Sequence, residues 1–224
     1  MKLHELGRMV DVSAVRTDVT MTEVDQMIDI VKRYHCICAS PMPWVTEYTI
    51  HALEDAKDTV VTGVVSFPAG GETTDIKVAA AREMIRIGCR ELDMVINVSA
   101  LKSGLYQQVE DDIRAVVDVA GEVPVKTILE ICYLTEDEIK RGALIGVKAG
   151  AAYIKTGTGW GPMPTTVDTI RLIRSAIGHD AYIKAAGGVR NLETLLAMKD
   201  AGCDRFGIGV RSAINIFTSA EQQL

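Results

Sequence analysis

Eight times along this chain a short apolar run gives way to a helical pattern, and that alternation restricts the fold more than any other feature of the sequence. The runs are Met9–Ser13, Cys36–Ser40, Val60–Phe67, Glu91–Asn97, Val123–Glu130, the segment holding Lys155, Tyr182–Ala186 and Arg205–Gly209. Their starts lie about one strand–helix–strand unit apart. Val60–Phe67 is a continuous, β-branched stretch, as in a strand covered on both faces, and such strands belong to parallel sheets. Parallel neighbours need right-handed crossovers, so eight units predict a closed (β/α)8 TIM barrel, one domain over residues 1–224, with the active site at the carboxyl ends of the strands. A doubly wound open sheet would call for a G-x-G-x-x-G turn after the first strand, and none is present.

Helix signals fill the gaps. Thr22 with Asp25 predicts a capped start for a helix running to about Tyr34, and Pro43 opens one carrying Trp44 and Leu53. Ile76, Ala80, Met84 and Ile87 recur at helical spacing before Gly88, and Leu105–Val119 is the next helix. Thr135 with Glu138 caps another that ends at Gly150. Pro164 suits a first helical turn, Leu192–Lys199 is helical, and the last helix starts near Ser212. Gly88, Gly150 and Gly202 each close a helix, and five residues after them come Asp93, Lys155 and Gly207. That shared offset predicts comparable heights on the fourth, sixth and eighth strands.

Composition excludes several function classes. With a net charge of −6, the chain has no basic surplus for nucleic acid or an anionic membrane. No apolar run has the length of a signal peptide or a membrane span, which predicts a cytoplasmic protein. The five cysteines are an odd number with no CxxC pair, so reduced thiols are expected and no metal site. His4, His35, His51 and His179 fall outside the strands and receive no role.

The chemistry concentrates on strand positions that face a barrel lumen: Asp11 and Ser13 on the first strand, Cys38 on the second, Asp93 on the fourth, and Lys126, Lys155 and Lys184 on the fifth to seventh. Lysines are rarely buried without a reason. Neighbouring ammonium groups disfavour each other, leaving one free amine near neutral pH, a Schiff-base nucleophile for a carbonyl. Lys155 is followed by Thr156-Gly157-Thr158-Gly159, which leaves room for substrate, and is read as the nucleophile. Lys184 precedes Gly187-Gly188-Val189-Arg190 and a helix starting near Asn191, the make-up of an anion site, and is read as the cation that lowers the pKa of Lys155. Asp93 is then either a proton shuttle or a plain ion-pair partner, with Lys126 orienting it. Cys38 reads as packing.

Four segments, Glu91–Gly104, Lys126–Thr135, Ala151–Trp160 and Ile183–Gly202, resemble the deoxyribose-phosphate aldolases, in register from about Val10 to Phe206. The resemblance implies a class I aldolase that reversibly cleaves 2-deoxyribose 5-phosphate to acetaldehyde and glyceraldehyde 3-phosphate without metal or cofactor. Its partners would be small aldehydes and sugar phosphates, and a homodimer or higher homo-oligomer fits. By similarity Lys155 is the Schiff-base lysine, Lys184 the second catalytic lysine and Asp93 the proton relay. Asp11 and Lys126 take supporting positions, and Cys38, with Ser13 and Thr158, falls on the substrate-pocket side. Gly159, Gly187, Gly188, Val189, Arg190, Gly207 and Gly209 fall at the phosphate.

The departures are local. Gly157 stands where a serine is usual, and Gly207-Ile208-Gly209-Val210 lacks the usual Ser-Ser pair, with Arg211 following where small residues are common. Val12-Ser13 replaces His or Leu and Thr, and the sequence reaches Leu224 without a tyrosine-bearing tail. Backbone amides of Gly187, Gly188 and Gly209, with Arg190 or Arg211, are the expected substitutes at the phosphate. Two other functions therefore compete with the first: the same chemistry on a different or unphosphorylated aldehyde, and a phosphosugar-binding barrel without turnover.

Overall fold

The computed structural model describes residues 1–223; Leu224 lies outside the described residues. In chain order the elements are α1 (Leu3–Gly7), β1 (Val10–Ala14), α2 (Met21–Tyr34), β2 (Cys38–Pro41), α3 (Thr46–Ala52), β3 (Val60–Val65), α4 (Thr74–Arg86), β4 (Glu91–Val95), α5 (Val98–Lys102), α6 (Tyr106–Ala120), β5 (Val125–Ile128), α7 (Glu136–Lys148), β6 (Tyr153–Lys155), α8 (Val167–Ile177), β7 (Tyr182–Ala186), α9 (Leu192–Asp200), β8 (Arg205–Gly209) and α10 (Val210–Gln223). The strands close in sequence order into a parallel barrel, β8 pairing back onto β1. This is the (β/α)8 fold expected from the alternation.

The apolar core lies between strands and helices. α2 buries Val24, Met27, Ile28 and Val31, one stripe at helical spacing, against outward-facing strand residues such as Val12 and Ala39. Register then decides which side chains meet inside. Asp93 is level with Lys126 across β4 and β5, and Lys155 is level with Lys184 across β6 and β7. No helix among the described residues is long and apolar enough to cross a membrane.

Helix starts differ from the sequence expectation for identifiable reasons. The box at Thr135 and Glu138 forms, each side chain bonding the other's backbone N–H. The one at Thr22 does not: α2 is entered from Thr20, and the Asp25 carboxylate accepts the Tyr48 hydroxyl at 2.7 Å instead. Pro164 is not in a helical turn, because the next residue is tied to the end of β7; Thr165 donates its N–H to Gly187 O and its hydroxyl to Ala186 O. α8 begins later, capped by Thr166, whose Oγ1 accepts from Thr169 N. The helix expected from Pro43 splits into a single 3-10 turn, Pro43–Val45, and α3, with Trp44 left exposed. The short helices α1 and α5 had no strong periodic signal, and α10 follows β8 directly, which puts Ser212 in its first turn.

Gly63 in β3 shows how tightly a helix sits on the barrel: a Cβ there would lie 2.4 Å from Cβ of Met84 on α4. Gly63→Ala is expected to cost ~1–3 kcal/mol by overpacking. Thermal unfolding followed by circular dichroism checks this; a melting temperature equal to the parent's would contradict the packing.

Candidate active site

Inside the barrel, three carboxylates and three cations alternate in a closed ring. Lys184 Nζ lies 2.5 Å from Asp11 Oδ2, and Asp11 Oδ1 is 2.7 Å from Arg205 Nη2. Arg205 forks onto both Glu91 oxygens at 2.8 and 2.9 Å. Glu91 is 2.6 Å from Lys126 Nζ, Lys126 donates to Asp93 Oδ1 at 2.9 Å, and Asp93 Oδ2 accepts from Lys184 at 2.8 Å, which closes the circuit. Lys155 joins from outside the ring, donating to Asp93 Oδ2 at 2.6 Å. It is the one ammonium with no carboxylate of its own.

Burial sorts these groups by role. Lys155 is 7% exposed, against 1% for Lys184 and 0% for Lys126. Lys155, Lys184 and Asp93 line a cavity of about 230 Å³ at the carboxyl ends of the strands, whereas Asp11, Glu91, Lys126 and Arg205 lie beneath it. Burial is the main cause lowering the Lys155 pKa, to about 8; Asp93 opposes it, and Lys184 and then Lys126 reinforce it. The expectation gave that role to Lys184 first, but removal from water is the larger effect. Burial also penalises the charged forms of Lys184 and Asp93. The two carboxylates beside Lys184 outweigh the penalty and raise its pKa, and the three lysines around Asp93 hold that carboxyl well below the usual carboxylate range.

The other expected residues divide in the same way. Ser13, Thr158, Gly159, Gly187, Gly188, Val189, Arg190, Gly207 and Gly209 all line the cavity. Gly187 and Gly188 have φ of 85° and 90°, a backbone that side chains disfavour. A Cβ on Gly207 would stand 3.2 Å from Cε of Lys184, so its small size makes room for that lysine. Cys38 packs as its residue reading expects, and only the substrate-pocket place implied by the resemblance is corrected: level with Asp11 and fully buried, it is not among the residues lining the cavity, and burial pushes its thiol well above the usual range. Asp11, Cys38 and Glu91 bring ligand atoms within 4.8 Å of one another, close enough to hold a metal ion. Both carboxylates are already committed to cations and the thiol stays protonated, so the cluster is a poor metal site.

Several contributors were not foreseen. Glu91 and Arg205 each sit two residues before an expected position, Asp93 and Gly207, on the same strand face; that parity was the available signal. Ser212 lines the cavity from the first turn of α10. Glu130, buried and in the left-handed region (φ 54°), accepts the Thr158 hydroxyl and, at 3.2 Å, its N–H. A Cβ on Gly157 would come 2.8 Å from that carboxylate, which explains a residue without a side chain there.

A model of the DeoC/LacD family of aldolases matches residues 11–219. The deoxyribose-phosphate aldolase of Klebsiella pneumoniae is 38% identical over 98% of this chain and 89% of its own. That of Methanothermobacter thermautotrophicus is 42% identical over 91% of each. Among solved structures, the aldolase QR15 superposes with a TM-score of 0.90 at 33% identity, covering 98% of this chain and 97% of its own. The tetrameric deoxyribose phosphate aldolase of Aeropyrum pernix gives 0.89 at 23%, covering 100% and 94%, a likeness of fold.

With a pKa of about 8, Lys155 is a free amine for ~10% of molecules at pH 7, and the reactive fraction grows as pH rises. Imine formation, trapped with borohydride after brief exposure to acetaldehyde, is expected to rise tenfold per pH unit below about 8 and to level off above. Asp93→Asn removes the anion that favours the charged form, so its ascending limb shifts to lower pH. A limb centred near the ordinary lysine value would contradict the assignment of Lys155 as the depressed amine.

Proposed function

Because this chain belongs to the DeoC/LacD family of aldolases, we propose that it is a class I aldolase cleaving 2-deoxyribose 5-phosphate reversibly to acetaldehyde and glyceraldehyde 3-phosphate. The observation that carries this reading is Lys155: a buried amine lowered to about 8, aimed into a cavity and held 2.6 Å from a carboxylate. Binding alone has no need of such an amine.

In the proposed reaction the free amine of Lys155 attacks C1 of the open-chain sugar. The carbinolamine loses water to give a protonated imine. That cation withdraws electrons as the C2–C3 bond breaks, while the C3 hydroxyl passes its proton to the Lys184 amine left after dehydration; C3 to C5 leave as the aldehyde phosphate, Lys184 returns the proton to C2 of the enamine, and water then hydrolyses the imine to acetaldehyde and free Lys155. The lysines around Asp93 hold its carboxyl well below the usual carboxylate range. Its part is to keep Lys155 and Lys184 aligned and to favour each positive charge as it forms. The Lys184 ammonium, 2.8 Å from Asp93 and lining the cavity, is the better proton donor to the departing water.

For the phosphate, the candidates are residues that line the cavity: Gly187, Gly188 and Gly209 with their backbone amides, Ser212 in the first turn of α10, and the exposed Arg190. Ser212 would supply a hydroxyl that Gly209-Val210 cannot. Arg16 lines the cavity too, but Glu23 grips it at 2.6 and 2.8 Å, so it adds little free charge. That thin complement favours a second reading, in which the acceptor aldehyde is unphosphorylated. A soluble sugar phosphate suits the cytoplasm.

Borohydride reduction with acetaldehyde, followed by peptide mapping, is expected to place a two-carbon adduct on Lys155 and to lose it in Lys155→Ala. An adduct that persists in that variant, or none in the parent, rejects the mechanism. Comparing deoxyribose 5-phosphate with deoxyribose separates the two substrates. The phosphate reading expects a strong preference for the phosphorylated sugar and a fall of ~10-fold in its kcat/KM on Ser212→Ala, the size of one charge-assisted hydrogen bond. Equal rates on both sugars would favour the second reading.

A further inference from the structure

The segment that delivers Lys155 ends in Trp160, a residue the proposed chemistry leaves unused. Gly159 (φ 85°) turns the chain so that this side chain reaches across the barrel mouth. The indole Nε1 donates to Val15 O, just past β1, at 3.1 Å. The ring meets Phe67, just past β3, edge-on with centroids 5.9 Å apart. Its backbone N–H donates to Thr158 Oγ1 at 3.0 Å, and Thr158 is held in turn by Glu130. Trp160 thus ties together the loops after β1, β3 and β6.

Its two sides face different spaces. On one is the catalytic cavity, at about 230 Å³ smaller than the ~300–1,000 Å³ of most ligand sites. On the other is a cavity of about 690 Å³ bounded by Pro68, Ala69, Val98, Lys102 and Tyr133. The polar groups bordering this second space are largely taken up: Lys102 Nζ donates to Tyr133 O at 2.6 Å, and the Glu130 carboxylate serves Thr158. Apart from the Ser99 hydroxyl, what remains on offer is apolar wall.

We propose that Trp160 sets the length of the acceptor aldehyde: its indole is the partition that confines the catalytic cavity to short acceptors, and the cavity behind it takes an apolar or aromatic tail once the partition is removed. The proposal rests on the Lys155 aldolase reading. It concerns the acceptor alone, since the donor acetaldehyde occupies the imine at the far end.

The test is the addition of acetaldehyde to propanal and to 3-phenylpropanal, with kcat/KM measured for each acceptor. Trp160→Ala is expected to raise the ratio of long to short acceptor by about tenfold or more, the scale of burying a phenyl group. Trp160→Phe keeps a ring but loses the N–H, and its ratio is expected to stay within about threefold of the parent's. Adding Val98→Phe to Trp160→Ala refills the second cavity and should return the ratio toward the parent's. A ratio unmoved in Trp160→Ala, or moved equally in Trp160→Phe, overturns the proposal, the latter by assigning the effect to the tether. Should Trp160→Ala fail to fold, Trp160→Leu is read under the same criteria. The Lys155 adduct with acetaldehyde is trapped in every protein: its absence from the parent rejects the aldolase reading, whereas its presence with an unmoved ratio rejects only the role of Trp160.

Discussion

Inside this barrel, Asp11, Glu91 and Asp93 balance Lys126, Lys184 and Arg205 in a ring where every charge touches two of the opposite sign. Burying any one of these groups alone would cost several kcal/mol, and the circuit recovers that cost only while it is complete. The ring therefore contributes order more than stability. It fixes side chains from β1, β4, β5, β7 and β8 with respect to one another, so that loops can vary above an unchanging floor. A (β/α)8 interior is more often filled by layers of aliphatic side chains. Here the aliphatic residues lie mainly outside the sheet, against the helices, and the lumen is ionic.

The reactivity of Lys155 follows from the same count. Three anions are already matched by three cations, so a fourth ammonium would leave the buried cluster with an excess positive charge. Loss of a proton from the member with the least carboxylate support restores balance at the least cost, since Lys184 and Lys126 each touch two carboxylates and Lys155 touches only Asp93. Lys155 is that member, and because its side chain also lines the cavity a carbonyl can reach it. Position and basicity are thus set together by the strand register that places it beside Lys184 and within reach of Asp93.

Much of this was legible in the sequence. Strand and helix alternation yields the barrel because parallel strands buried on both faces have few other ways to close. The recurring five-residue offset from helix-ending glycines brings Asp93 and Lys155 to one end of the barrel. Arg205 and Glu91 were harder to see, since charged residues at the start of a strand ordinarily face solvent; only the partner across the lumen, up to 194 positions away for Asp11, explains their burial. The same holds for Lys77, which α4 buries against Asp112 of α6 at 2.6 Å, a pairing that depends on how two helices pack. Cys38 packs as its residues suggest, but the pocket place implied by the resemblance is one layer too high, because two strand residues of equal parity share a face yet differ in depth. The starts of α2 and α8 shifted for a related reason: Asp25 found a tertiary partner in place of its capping role, and the bonds of Thr165 to the end of β7 keep the neighbouring Pro164 out of a helical turn.

Floor and rim differ in how tightly their residues are constrained. Every residue of the ring is held by at least two others, so a substitution there leaves an unpaired buried charge. Rim residues answer to fewer constraints. Gly157 exists because Glu130 occupies the space a side chain would need, and Glu130 is spent holding Thr158, which in turn receives the amide that carries Trp160 across the mouth. The unusual features of the loop after β6 are therefore one linked arrangement. It holds the indole as a fixed wall of the mouth, set by contacts that do not involve the amine beneath it.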